Sequence, residues 1–158
     1  MDKRSSAESC IEVQIAPAFA EQISAESLQA VAAKVLHQED VTGEATLVIT
    51  DDQAIRALNR DYLGRDSPTD VLAFGAQEGT STFLVAPDAG GYLGDVVISY
   101  ERAAAQAVDA KHPVEQEIDL LVVHGLLHLL GYDHADEQEK AIMWARQGVI
   151  LHEFHAET

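Results

Sequence analysis

The sequence predicts a single-domain α+β fold, a small mixed sheet of about four strands packed with about five helices. Three observations predict it. Short β-branched runs lie before Ser99, almost unbroken helical patterning follows Tyr100, and no segment repeats. The chain has 158 residues, 47% of them apolar, enough to bury about two-thirds of its unfolded surface in one core. One domain over 1–158 is the expectation, with the polar stretch 1–10 as a flexible terminus.

In chain order, Ile11 to Ala16 alternates as a strand does. Leu28, Val31, Ala32, Val35 and Leu36 then recur at helical spacing after a capping Ser24. Ala45 to Thr50 is rich in β-branched residues and reads as a second strand. Asp51 or Asp52 caps a helix bearing Ile55, Leu58 and Tyr62, which stops at Gly64. Arg65 to Thr69 is turn-like, Val71 to Phe74 a short strand, and Gly79 to Gly91 a mobile loop. Leu93 to Ser99 is the last strand, and Tyr100 to Val108 a helix. Pro113, suited to a first helical position, opens a stretch to Leu130 that is apolar on nearly every side, which implies a central buried helix. Gly131 ends it, and Asp136 opens a final helix that offers Ile142, Met143, Ala145, Val149 and Ile150 for packing.

Cys10 is the only cysteine, so a disulfide framework and a thiolate metal cluster are both excluded. No apolar run approaches the ~20 residues of a membrane span, and the chain reads as cytoplasmic. Ten Lys and Arg against 27 Asp and Glu give a net charge of −17, which opposes polyanion binding except through a local patch and favours solubility.

The string HGLLHLLGYDH carries most of the chemistry. His124 and His128, four apart on a helix, project from one face, so both imidazoles reach one ion at about 2.0–2.1 Å. Gly131 lets the chain turn so that His134 returns as a third ligand. Three protein ligands leave a fourth position for water, the arrangement of a catalytic zinc site on the central helix and its following loop. Two imidazoles among Leu, Val and Gly would otherwise cost a few kcal/mol as unpaired buried polar groups. His37, His112, His152 and His155 read as surface or helix-end residues, with His112, at a helix start, best placed for a minor role. The ligand pattern HxxxHxxGxxH is also that of HExxHxxGxxH metalloproteases. Here the position after the first histidine is Gly125, so the glutamate that serves those enzymes as base is missing. Met143 lies in a helical pattern and reads as core rather than a Met-turn.

Taken with Asn59, the segment Arg65 to Phe74 and the segment Leu93 to Ser99, this string resembles the YbeY family of bacterial rRNA maturation factors. The resemblance implies a cytoplasmic, zinc-dependent, single-strand-specific endoribonuclease that acts at the small-subunit rRNA 3′ end and in ribosome quality control. It implies one Zn2+ on His124, His128 and His134, a site that would also accept Ni2+ or another divalent ion. Implied partners are rRNA and the small ribosomal subunit, with basic ribosomal proteins or an assembly GTPase as further ones, and no membrane.

Family members carry an arginine after the tyrosine of a Tyr-Arg-Gly-Lys-Asp segment, whereas this chain reads Tyr62-Leu63-Gly64-Arg65-Asp66. Leu63 cannot bind phosphate, and Arg65, at the family's lysine position, is either its partial substitute or a solvated turn charge. Asn59 and Arg60 lie on the helix before it, where surface exposure is the plainer reading of each. Thr69 and Asp70 fix the turn, while Asp95 on its strand and Asp133 beside the third ligand are candidates for supporting a ligand or a loop. No residue identifies a general base, so either metal-bound water or an RNA 2′-hydroxyl attacks. Two alternatives stand beside the nuclease: a metallopeptidase-like hydrolase, and a non-catalytic ribosome-assembly factor with a structural metal.

Overall fold

Local capping signals set most element boundaries. The Ser24 hydroxyl accepts from Ser27 N at 3.1 Å, Asp51 Oδ1 from Ala54 N at 2.8 Å, and Asp136 Oδ1 from Glu139 N at 2.7 Å, each satisfying an amide that the first helical turn leaves unpaired. The computed structural model describes residues 10–75 and 91–157. Within them the elements are β1 (Cys10–Ile15), α1 (Ala25–Gln38), β2 (Glu44–Thr50), α2 (Asp52–Leu63), β3 (Val71–Gly75), β4 (Tyr92–Ser99), α3 (Tyr100–Ala110), α4 (Val114–Leu129) and α5 (Glu137–Glu157). These bounds fall within two residues of the expected ones. The expected mobile loop lies, but for Gly91, outside the described residues, as does the polar terminus except Cys10, which already belongs to β1.

The four strands form one mixed sheet in the order β1-β2-β4-β3. The pairs β1–β2 and β2–β4 are parallel, and β3 runs antiparallel to β4 with Val71 opposite Ile98 and Gly75 opposite Gly94. Strand alternation then sorts side chains to two faces. Ala45, Leu47 and Ile49 of β2 join Val96 and Ile98 of β4 in one large core with α1, α4 and α5. Val97, Leu72 and Phe74 face the other way, onto Ile55 of α2. The molecule is thus layered, with α2 on one side of the sheet and α1, α4 and α5 on the other. Fully buried Leu36, Leu47, Ile98, Leu126 and Ile150 each contribute roughly 1.5–3 kcal/mol through burial.

As expected, α4 is the central helix, and it closes on the sheet at one point. A Cβ at Gly125 would stand 2.6 Å from Val96 Cγ1 and 3.1 Å from Cγ2, so only glycine allows this helix–strand approach. After Leu129 the chain reverses through Gly131, whose φ of +110° is the left-handed conformation expected there.

Three expectations fail. His128 is exposed and His124 only half-buried, so the cost of two unpaired imidazoles in the core does not arise for His128. In α5 the buried residues are Met143, Gln147, Ile150 and Phe154, whereas Ile142 is 52% exposed, Val149 is 44% exposed and Ala145 is also on the outside. The seam follows a strict helical repeat from Met143, and Ile142 and Val149 fall off it. Asn59 is buried, not surface, because its amide closes the turn beyond α2, with Nδ2 donating to Ser67 O at 2.9 Å.

Candidate metal centre

One helix and the loop after it bring the histidines together. His124 and His128 sit on consecutive turns of α4, and His134 follows in the loop before α5. The His134 ring centre lies 5.5 Å from that of His124 and 6.1 Å from that of His128. That loop is pinned from a distance. The Tyr132 hydroxyl donates to Glu39 Oε1 at 2.7 Å, and Arg146 of α5 donates to Glu39 Oε2 from Nη2 at 2.6 Å and from Nε at 2.8 Å. One carboxylate at the end of α1 thereby fixes both the loop and α5, and it holds the Tyr132 hydroxyl and the Arg146 guanidinium above their usual pKa ranges.

Each helical histidine is oriented by a partner on one ring nitrogen. His128 Nδ1 lies 3.0 Å from Tyr132 O, a carbonyl that only accepts, so Nδ1 carries the proton and Nε2 keeps its lone pair. His124 Nδ1–H donates to Gln147 Oε1 at 2.6 Å, with the same consequence. Burial pushes the His124 imidazole below its ordinary pKa, and the neighbouring His134 and His128 act in the same direction, so the neutral, ligating form is favoured. A carbonyl or carboxamide behind each imidazole is the usual support of a metal-ligating histidine.

The donor set fits a divalent ion of intermediate hardness. Two imidazoles sharing one tetrahedral ion stand about 5 Å apart between ring centres, so the trio is slightly splayed. Among the described residues no three His, Cys, Asp or Glu side chains are already drawn into a closed cluster. His134, on an exposed loop, is the member of the trio with the most room to move. We expect Gln147→Leu, which leaves His124 Nδ1 unpaired, to weaken metal binding by about 10–100-fold in a chelator competition. An unchanged affinity would mean that Gln147 does not support the ligand.

Two clefts meet at the histidines. One, of about 280 Å3, runs between the trio and Asn59, Leu63, Arg65 and Thr69. The other, of about 600 Å3, is walled by Asp70, Gln106, Glu117 and Leu121 of the sheet side and α3–α4, and by Trp144 and Gln147 of α5. Arg65 lines the first cleft and takes part in none of the ion pairs among the described residues, whereas Arg56 is bound to Asp66 at 2.8 Å and Arg60 to Asp61 at 3.0 Å. Of the two expected arginines only Arg65 faces the histidines. Leu63, 49% exposed, lines the same cleft.

The model sequence of the family described as Endoribonuclease YbeY matches residues 8–155. The chain belongs to the YbeY family. A protein of Roseiflexus castenholzii named Endoribonuclease YbeY is 44% identical over 148 residues, 92% of each chain, and one of Geobacillus kaustophilus with the same name is 43% identical over 139 residues, 85% of this chain and 88% of its own. A protein of Thermotoga maritima known from its solution structure has a TM-score of 0.64 at 22% identity, covering 94% of this chain and 91% of its own, a likeness of fold. The YbeY fold thus matches the expected small mixed α+β domain. Among the described residues no helix is long and apolar enough to cross a membrane.

The remaining site residues sort by position. Asp133 Oδ1 accepts from His134 N at 2.7 Å, so it shapes the turn that presents the third histidine. Asp95 lies on the sheet face away from the histidines. Val96 points at Gly125 of α4, so its neighbour Asp95 turns to the opposite face of the sheet, where the Tyr92 hydroxyl donates to it. Asp70 O accepts from Ser99 N at 2.9 Å, which extends the β3–β4 pairing by one residue, and Thr69 and Asp70 both stand on cleft walls. His112 pairs with Glu117 at 2.8 Å, away from the trio's own hydrogen bonds. Sequence reasoning missed Gln147, Trp144 and the Glu39 anchor. The one available signal was Gln147 falling on the same helical repeat as Met143 and Ile150.

Proposed function

We propose that this chain is a metal-dependent endoribonuclease that cleaves single-stranded RNA in ribosomal RNA processing, at the small-subunit 3′ end, and in ribosome quality control in the cytoplasm. The observation that carries the reading is the pair of α4 histidines whose Nδ1 atoms are occupied from behind, leaving Nε2 of each free to ligate, on the wall of a cleft shared with Arg65, which has no ion pair among the described residues. A divalent ion, zinc by preference, held on His124, His128 and His134 would supply Lewis acidity at a phosphoryl oxygen and acidify water. The chain's own part is positioning. Gln147 and Tyr132 O hold two imidazoles in the ligating tautomer, and Glu39 holds the loop that delivers the third.

Arg65 offers paired N–H donors to the phosphate on the side of the cleft away from Trp144. Asn59 acts through the backbone, by fixing the turn on which Arg65 and Thr69 stand. Arg60, exposed and paired with Asp61, is left to long-range attraction at most. Peptide hydrolysis is the weaker reading, because a glutamate in place of Gly125 has no room beside Val96.

The test is cleavage of a single-stranded rRNA fragment beside the same sequence in duplex form and beside casein. Cleavage confined to the single strand supports the proposal, and cleavage of casein alone would overturn it. Within the same assay Arg65→Ala is expected to raise KM roughly tenfold, the loss of one charge-assisted phosphate contact. Leu63→Arg is expected to lower KM severalfold by adding a cation to the same wall. If neither substitution moves KM, substrate does not run along this cleft.

A further inference from the structure

Trp144 is the chain's only tryptophan, and it stands at the junction of the histidines and the larger cleft. Its ring centre lies 5.6 Å from that of His124 and 5.7 Å from that of His134, and it meets both edge-to-face, at 85° and 79°. A side chain serving only to fill the core would be buried. This indole is 44% exposed on the wall of a cleft of about 600 Å3, with Lys140 Nζ lying over the ring, 5.5 Å from its centre. Spacing of four along α5 places Lys140 and Trp144 on one face of the helix.

We propose that Trp144 is a stacking platform for a nucleobase next to the cleaved linkage, with Lys140, which lies over the ring, for the adjoining phosphate. The inference rests on the reading of the site as an RNA nuclease and adds a source for its strand preference. Stacking on an aromatic ring is tolerant of sequence, because every base has a π-face, and it is open only to bases not already stacked inside a duplex. The two clefts then divide the substrate. Arg65 takes backbone on one side of the histidines, and Trp144 with Lys140 takes the nucleotide on the other.

Because the chain holds a single tryptophan, its emission reports this position alone. The experiment titrates the metal-loaded protein with a short 2′-O-methyl single-stranded RNA, and with the same oligonucleotide carrying abasic positions. Binding is followed in parallel by the anisotropy of a label on the oligonucleotide. Expected is saturable quenching by the intact strand, with affinity for the abasic strand roughly tenfold weaker and little quenching. In cleavage assays Trp144→Ala should raise KM by about the same factor with metal affinity unchanged, and Trp144→Phe should retain most of the affinity. Equal affinity for both strands with unaltered emission would overturn the platform while leaving the nuclease reading intact. No binding of either strand would overturn both. A Trp144→Ala protein that loses metal while its KM is unchanged would also overturn it, by making the indole a buttress for the imidazoles.

Discussion

His128→Ala is expected to lose the metal and at least about 10³-fold in RNA cleavage while remaining folded. Loss of a group that merely supports a ligand typically costs 10–100-fold, and loss of the ligand itself costs more. His128 is exposed, and its recorded bond is to a carbonyl in the next turn, so truncation should change stability by no more than about 1 kcal/mol. Metal analysis, thermal unfolding and cleavage of a single-stranded fragment, all on one preparation, separate these effects. An apo variant that melts normally yet cleaves fully would remove His128 from the chemistry.

Gly125→Glu is expected to cost more than about 3 kcal/mol and to yield no peptidase. The new Cβ would start 2.6 Å from Val96 Cγ1, and Val96 is itself fully buried and β-branched, so it cannot swing aside. An ionised carboxylate placed against that wall adds a desolvation cost. Gly125→Ala makes the point more gently. Alanine gains about 1 kcal/mol of helix propensity, against which stands about 1–3 kcal/mol of overpacking, so a net loss of roughly 0–2 kcal/mol is expected. Denaturant midpoints measure both variants. A Gly125→Glu protein of normal stability that cleaved casein would show that the helix–sheet contact has no bearing on the choice between peptide and RNA.

How much of this was legible depends on which link of the chain each feature lives on. The two α4 histidines were legible because a four-residue spacing on an apolar helix fixes their common face without any tertiary knowledge. The strands were legible from β-branched runs, and the caps at Ser24 and Asp136 from residue type alone, whereas the choice of Asp51 over Asp52 was not. Gln147, Trp144 and the Glu39–Tyr132–Arg146 anchor were not, because each depends on how α5 docks across α1 and α4, between residues up to 107 apart in sequence. The packing face of α5 was misjudged for a related reason. Ile142 and Val149 are apolar, but the seam is set by Met143, Ile150 and Phe154, and a 21-residue helix with apolar groups on several sides does not announce which one is covered. Asp95 shows the limit of alternation: its strand is buried on both faces, so period two could not tell which face α4 occupies.

The most direct test of the central claim, that a metal on these three histidines cleaves RNA, is a chelation and restoration experiment. The purified protein is stripped with a chelator, its fold is checked by circular dichroism, and zinc is added back stepwise during cleavage of a single-stranded rRNA fragment. Expected is loss of cleavage in the folded apo protein and recovery that saturates at about one ion per chain, with no recovery in His128→Ala. Full cleavage by the metal-free protein would contradict it.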